Sequence, residues 1–135
     1  MGITFRRVLA GCAGCGGLWM EQRACPRCAL EWGGQGPAPV EDEAHYWAEC
    51  PSLRPARERM LSELGGAYPG FRQRWAPLSR LDRARALAFD VPDGTWVPGA
   101  SRAVWARGVR AVVQFGVDAA LLCPVLGQAM WRLGR

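Results

Sequence analysis

The chain has no lysine, no asparagine and only one histidine, His45, among its 135 residues. The first two absences reflect codon usage: both residues have A-rich codons, and a GC-rich genome leaves all 17 positive charges to arginine. The third absence limits catalysis, because any imidazole-dependent mechanism must use His45. No Gly-rich phosphate loop, no H-E-x-x-H and no G-x-S-x-G occurs either, so no catalytic activity is expected. An apolar leader is also missing. After Arg6 and Arg7 only Val8 and Leu9 precede small residues. Leu9-Ala10-Gly11-Cys12 imitates a lipoprotein cleavage box without its apolar run, and Met1-Gly2 imitates a myristoylation start with Arg6 where Ser or Thr belongs. The expected location is therefore intracellular, nuclear or cytoplasmic, and not secreted.

What is present is a globular mix. Half the residues are hydrophobic and 21% are charged, enough apolar content to pack one domain, or a small domain with an extension. Charge is unevenly placed. Residues 1–64 hold seven Arg against eight acids, and residues 65–135 hold ten Arg against four. The basic second half attracts polyanions such as nucleic acid or acidic lipid, or it is simply a solvated helical surface.

Six cysteines stand at 12, 15, 25, 28, 50 and 123. In a reducing compartment the spacing of Cys12–Cys15 and Cys25–Cys28 favours a metal or a redox pair over disulfides. Cys25-Pro26-Arg27-Cys28 is the stronger pair. Two cysteines two residues apart can turn both thiolates to one ion, and a tetrahedral zinc then needs two more N or S ligands, which His45 and Cys50 supply. On an ideal α-helix a step of five residues turns about 500°, so these two side chains would not share a face. Pro51 provides the break, because the residue before proline avoids the α region and lets Cys50 swing back. Glu41, Asp42 and Glu43 precede His45, where acids suit the positive end of a short helix. A rival set is Cys12, Cys15, Cys25 and Cys28. One zinc is the natural count, since seven Cys and His residues cannot fill two tetrahedral sites.

The wording around these residues resembles a known family. Glu21 to Cys28 (E-Q-R-A-C-P-R-C), and then Val40 to Leu53 (V-E-D-E-A-H-Y-W-A-E-C-P-S-L) followed by Arg57, are similar to the zinc-binding tail of reverse transcriptases from non-LTR, LINE-type retrotransposons. The likeness covers about residues 20–62. It implies a non-catalytic zinc module that holds RNA or DNA, with Cys25, Cys28, His45 and Cys50 as ligands. The chain departs from the family in the Gly/Pro-rich insertion before His45 and in having no polymerase Y-x-D-D motif, which reads as a detached tail or a decayed element fragment.

Nucleic-acid contact would fall to Arg27 on the knuckle, Arg54, Arg57 and Arg59 after the site, and Trp32 for base stacking, with Trp19 nearby and Trp47 better suited to core. Arg72, Arg74, Arg80, Arg83 and Arg85 would add phosphate contacts. The alternative is a structural or protein-interaction zinc module whose C-terminal helix docks on a partner. A third reading is dithiol redox chemistry at Cys12 and Cys15.

Periodicity beyond the site predicts helices. Ser52 caps one near 52–64, with Leu53, Ala56, Met60 and Leu64 on its apolar face, Arg54, Arg57 and Arg59 off it, and Gly65-Gly66 at its end. A second fits 79–89, with Leu78, Leu81, Ala84 and Ala88 inward. Residues 68–76 are ambiguous and 91–99 read as a loop. The stretch 101–133 is the longest helix, apolar nearly all round at its centre. Gln114, Asp118, Pro124 and Gln128 argue for burial over other helices rather than a membrane span. The expected fold is mainly α: a small zinc-stabilised N-terminal module over 1–51, followed by a few packed helices over 52–135.

Overall fold

The fold grows from one proline. Cys50, held at φ −55° and ψ 118° by the ring that follows it, leaves the helical region, and Pro51 opens a single 3-10 turn, Pro51–Leu53. That turn feeds helix α1, Arg54–Ala67, which buries Ala56, Arg57, Met60, Leu61, Leu64 and Ala67. These coordinates are a computed structural model that describes Ala24, Cys25, Arg27, Cys28, Pro39, Val40 and residues 42–122. Residues 43–119 form one compact unit, and the described residues at 24–42 and 120–122 belong to a second. In the latter, Ala24 and Val40 meet in an isolated antiparallel bridge, and the Cys25 N–H donates to the Pro39 carbonyl at 2.7 Å.

The protein is mainly α, and no strand occurs among the described residues. Helix α1 runs through Gly65 and Gly66 rather than stopping there. Leu64, Ala67 and Tyr68 are buried at its end, which offsets the roughly 1 kcal/mol that each helical glycine costs. A Cβ on Gly66 would lie 3.1 Å from the Arg107 guanidinium, so that glycine makes room for a neighbouring side chain. The turn comes at Gly70, whose φ of +80° is a left-handed conformation natural to glycine. The ambiguous stretch is helical: α2, Phe71–Trp75, buries Phe71 and Trp75.

Ser79 caps α3, Arg80–Arg85, by accepting from the Asp82 N–H at 3.1 Å. The helix then widens into a π turn, Ala86–Asp90, and closes as α4, Val91–Asp93, further along than the loop expected from residue 91. The π turn adds a residue and rotates everything after it. The buried residues are Ala84, Ala86, Leu87 and Val91, while of those expected inward Leu81, ahead of the π turn, is 66% exposed and Ala88, inside it, is half-buried.

Helix α5, Arg102–Leu121, accounts for the described part of the 101–133 stretch. It buries Gly108, Ala111, Val112, Phe115 and Ala119 at helical spacing. Gly108 sits under Tyr68, where a Cβ would meet the phenol oxygen at 2.7 Å. Phe115 stacks on Trp47 at 5.2 Å between centroids and meets Tyr46 edge-on at 5.6 Å. No described helix is long and apolar enough to cross a membrane.

Candidate metal centre

The site begins with a second departure from the α-helix. His45–Glu49 is a π turn, closed by the Cys50 N–H donating to the His45 carbonyl at 2.6 Å. The five-residue ring brings the start and end of the turn to one side, where an α-helical step of five would separate them. Proline at 51 and the π turn act together. The first takes Cys50 out of the helix and the second sets its spacing from His45.

Cys25, Cys28, His45 and Cys50 each offer one ligand atom, and all these atoms lie within 4.8 Å of one another. All four residues are buried: Cys25 and Cys50 completely, His45 to 5% exposure and Cys28 to 6%. The three sulfurs are thiols. A tetrahedral zinc, with sulfur at about 2.3 Å and nitrogen at about 2.0 Å, sets ligand-to-ligand edges of roughly 3.5–3.8 Å. No pair would have to close by more than roughly 1.3 Å to hold one ion. Buried, mutually close sulfur and imidazole without an ion would be an odd core, and with one they are a closed tetrahedral donor set. Cys12 and Cys15 of the rival set, and Cys123, lie outside the described residues.

Two arginines thought to face nucleic acid are in fact turned inward. Arg57 is only 6% exposed, and its guanidinium donates to the Cys50 carbonyl at 3.1 Å. Burial pulls its pKa below the usual arginine value, while the Cys50 sulfur acts in the opposite direction. It stays a cation at neutral pH. Arg27, between the two knuckle cysteines, is likewise 6% exposed. Three thiolates, a neutral imidazole and a divalent ion sum to one negative charge, and a buried guanidinium beside them offsets it. The missed signal was positional. Arg57 falls four residues after Leu53 and three before Met60, on the inward face of α1, but its charge read as solvent-facing.

The remaining candidates divide. Arg54 and Arg59 are exposed, and Arg59 pairs with Asp118 at 3.1 Å. Arg72 bonds Glu58 at 2.7 Å and Arg80 bonds Glu49 at 2.5 Å. Arg74 lies over the Trp96 ring at 4.8 Å and Arg83 over Trp75 at 5.7 Å. Trp47 is core, at 4% exposure. Trp32 and Trp19 lie outside the described residues.

Comparisons with family models, with curated proteins and with solved structures find no match for this chain. The four-residue cluster itself therefore has to carry the functional argument.

Proposed function

We propose that the chain is a non-catalytic zinc-binding module that binds RNA or DNA, akin to the retrotransposon reverse transcriptase tail its wording resembles. The observation that carries the metal part is the burial of Cys25, Cys28, His45 and Cys50 with their ligand atoms inside 4.8 Å. Three sulfurs and one nitrogen favour zinc over the hard, oxygen-seeking ions. The ion would be structural. Four protein ligands leave no open position for substrate or activated water, and the role left to it is to tie the Cys25–Cys28 knuckle to the turn that carries His45.

Nucleic-acid binding rests on the wording and on the basic second half of the sequence. Several of its arginines already serve carboxylates or indole rings, so among the described residues the outward cations most suited to phosphate are Arg85, Arg102, Arg107 and Arg110, with Arg54 from the first half. Metal content by mass spectrometry should give one zinc per chain for wild type and for Cys12→Ser, and none for His45→Ala. Anisotropy titrations with single-stranded RNA and DNA should then weaken steeply as salt rises, each neutralised phosphate adding about 0.7 to the log–log slope. A salt-independent signal, or zinc retained without His45, would sink the respective half of this reading.

One observation favours a second reading, a protein-interaction module. Val113, Val117 and Leu121 repeat every four residues along α5 and are 58%, 48% and 56% exposed. Concentration-dependent elution on size exclusion, unaffected by added oligonucleotide, would support it over the first.

A further inference from the structure

A groove of about 460 Å³ opens on the unit 43–119, far in sequence from the knuckle cysteines, between α1 and α5. Its floor is apolar, with Met60, Ala111 and Phe115 all nearly or fully buried. Its rim is charged. Arg59 is already engaged by Asp118, which Gln114 also holds through a hydrogen bond of 3.0 Å. Arg107 and Arg110 line the same groove and have no carboxylate partner among the described residues. Glu63 on the rim offsets one of them, which leaves the lining with one net positive charge from Arg59, Arg107 and Arg110 against Glu63 and Asp118.

We infer that this groove is a binding site for a small organic anion with an apolar body, such as an aromatic carboxylate. The volume falls in the range of small-molecule sites, and its build matches them: apolar walls to bury the body and a few convergent polar groups to fix its orientation. Arg107 and Arg110 both line the groove and stand one helical turn apart on α5, a spacing at which two planar forks can clamp one carboxylate. Gly66 leaves room for Arg107 beside the groove, since a Cβ there would come within 3.1 Å of its guanidinium. The groove uses none of the four cluster residues, so this inference stands apart from the metal reading.

The test uses the full zinc-loaded chain and three probes. 2-Naphthoate supplies both anion and apolar body, 2-naphthalenemethanol the body alone, and acetate the anion alone. Calorimetry should give one saturable naphthoate site, with the other two probes at least tenfold weaker. Amide and methyl shifts should cluster on residues 56–63 and 107–118. Arg107→Gln and Arg110→Gln should each weaken naphthoate by about tenfold, the worth of one charge-assisted hydrogen bond. Glu63→Gln should tighten it, and Ser62→Trp, an exposed lining position, should block the groove without touching a charge. Equal affinity for naphthoate and naphthalenemethanol, unchanged affinity in the double arginine variant, or shifts mapping elsewhere would overturn the assignment.

Discussion

The segment that carries the candidate metal ligands and the helices that follow it bury different kinds of atom. Around Cys50 the sulfur, imidazole and guanidinium of Cys25, Cys28, His45 and Arg57 are buried beside Tyr46, Trp47 and Leu53, whereas the rest of α1 and α5 buries Met60, Leu61, Leu64, Val112 and Phe115. Each aliphatic or aromatic side chain taken out of water contributes roughly 1.5–3 kcal/mol, so the helices hold together by packing. Sulfur and imidazole contribute little that way and need an ion. Order in the first region should therefore depend on zinc, and order in the second on shape.

Zinc removal is the sharpest way to break that contrast. A structural zinc supplies on the order of 10 kcal/mol of apparent binding free energy, comparable with the stability of a small domain. Chelation, or His45→Ala, should expose residues 24–42 to proteolysis and amide exchange while α1 and α5, in the unit 43–119, keep their protection. Equal loss in both regions, or in neither, would show that they are not differently held.

Phe115→Ala attacks the other side. It removes the ring against Trp47 and Tyr46 and should cost about 3–5 kcal/mol in denaturant unfolding of the zinc-loaded protein, with metal stoichiometry unchanged. Gly108→Ala should cost a smaller amount, about 1–3 kcal/mol, because its Cβ would collide with the Tyr68 ring. Arg57→Gln tests the join between the two kinds of burial. Without a cation beside Cys50, zinc affinity should fall by 10–100-fold, the usual cost of losing an outer partner, and Arg57→Lys should restore part of it. An unchanged affinity in competition with a chelating dye would make Arg57 a mere packing residue.

The smallest effect concerns acid. The Arg72 hydrogen bond holds Glu58 below its ordinary carboxyl value. A depressed folded pKa adds stability above the unfolded value of 4.5 that is lost as pH falls through the folded one. Both groups are about half exposed, so the gain is slight. Glu58→Gln should therefore barely move the melting temperature at pH 7, and the small difference from wild type should vanish in acid. Bound zinc would also be released on acidification, as protons compete for the thiolates, so the comparison belongs in metal-free protein.

Legibility in the sequence followed the same division. The cysteine pair, the lone histidine and the cysteine before proline were readable because ligand chemistry admits few residue types at few spacings. The mainly α class was readable from apolar steps of three and four, and Leu53, Ala56, Met60 and Leu64 are all buried as that pattern predicts. Ala88 misled because it falls inside the π turn Ala86–Asp90, where α-helical phase does not hold, and no residue type announces such a turn; Leu81 lies ahead of that turn and is exposed all the same. Arg57 misled because a charge is normally solvated, and only the ligand cluster beside it makes burial favourable. The helix end at Gly65-Gly66 misled because tertiary burial outweighed a weak local preference.

The wide ring at His45–Glu49 has a mechanical corollary. It works like a vernier of one residue. Inserting one alanine after Ala48 would lengthen the step from five residues to six, about 600° at the ordinary pitch, and carry the imidazole roughly 120° from the following sulfur, without removing a single ligand from the sequence. A chain with every donor intact and the count between two of them altered by one should then bind no ion, which makes spacing as much a part of the coordination chemistry as the donors themselves.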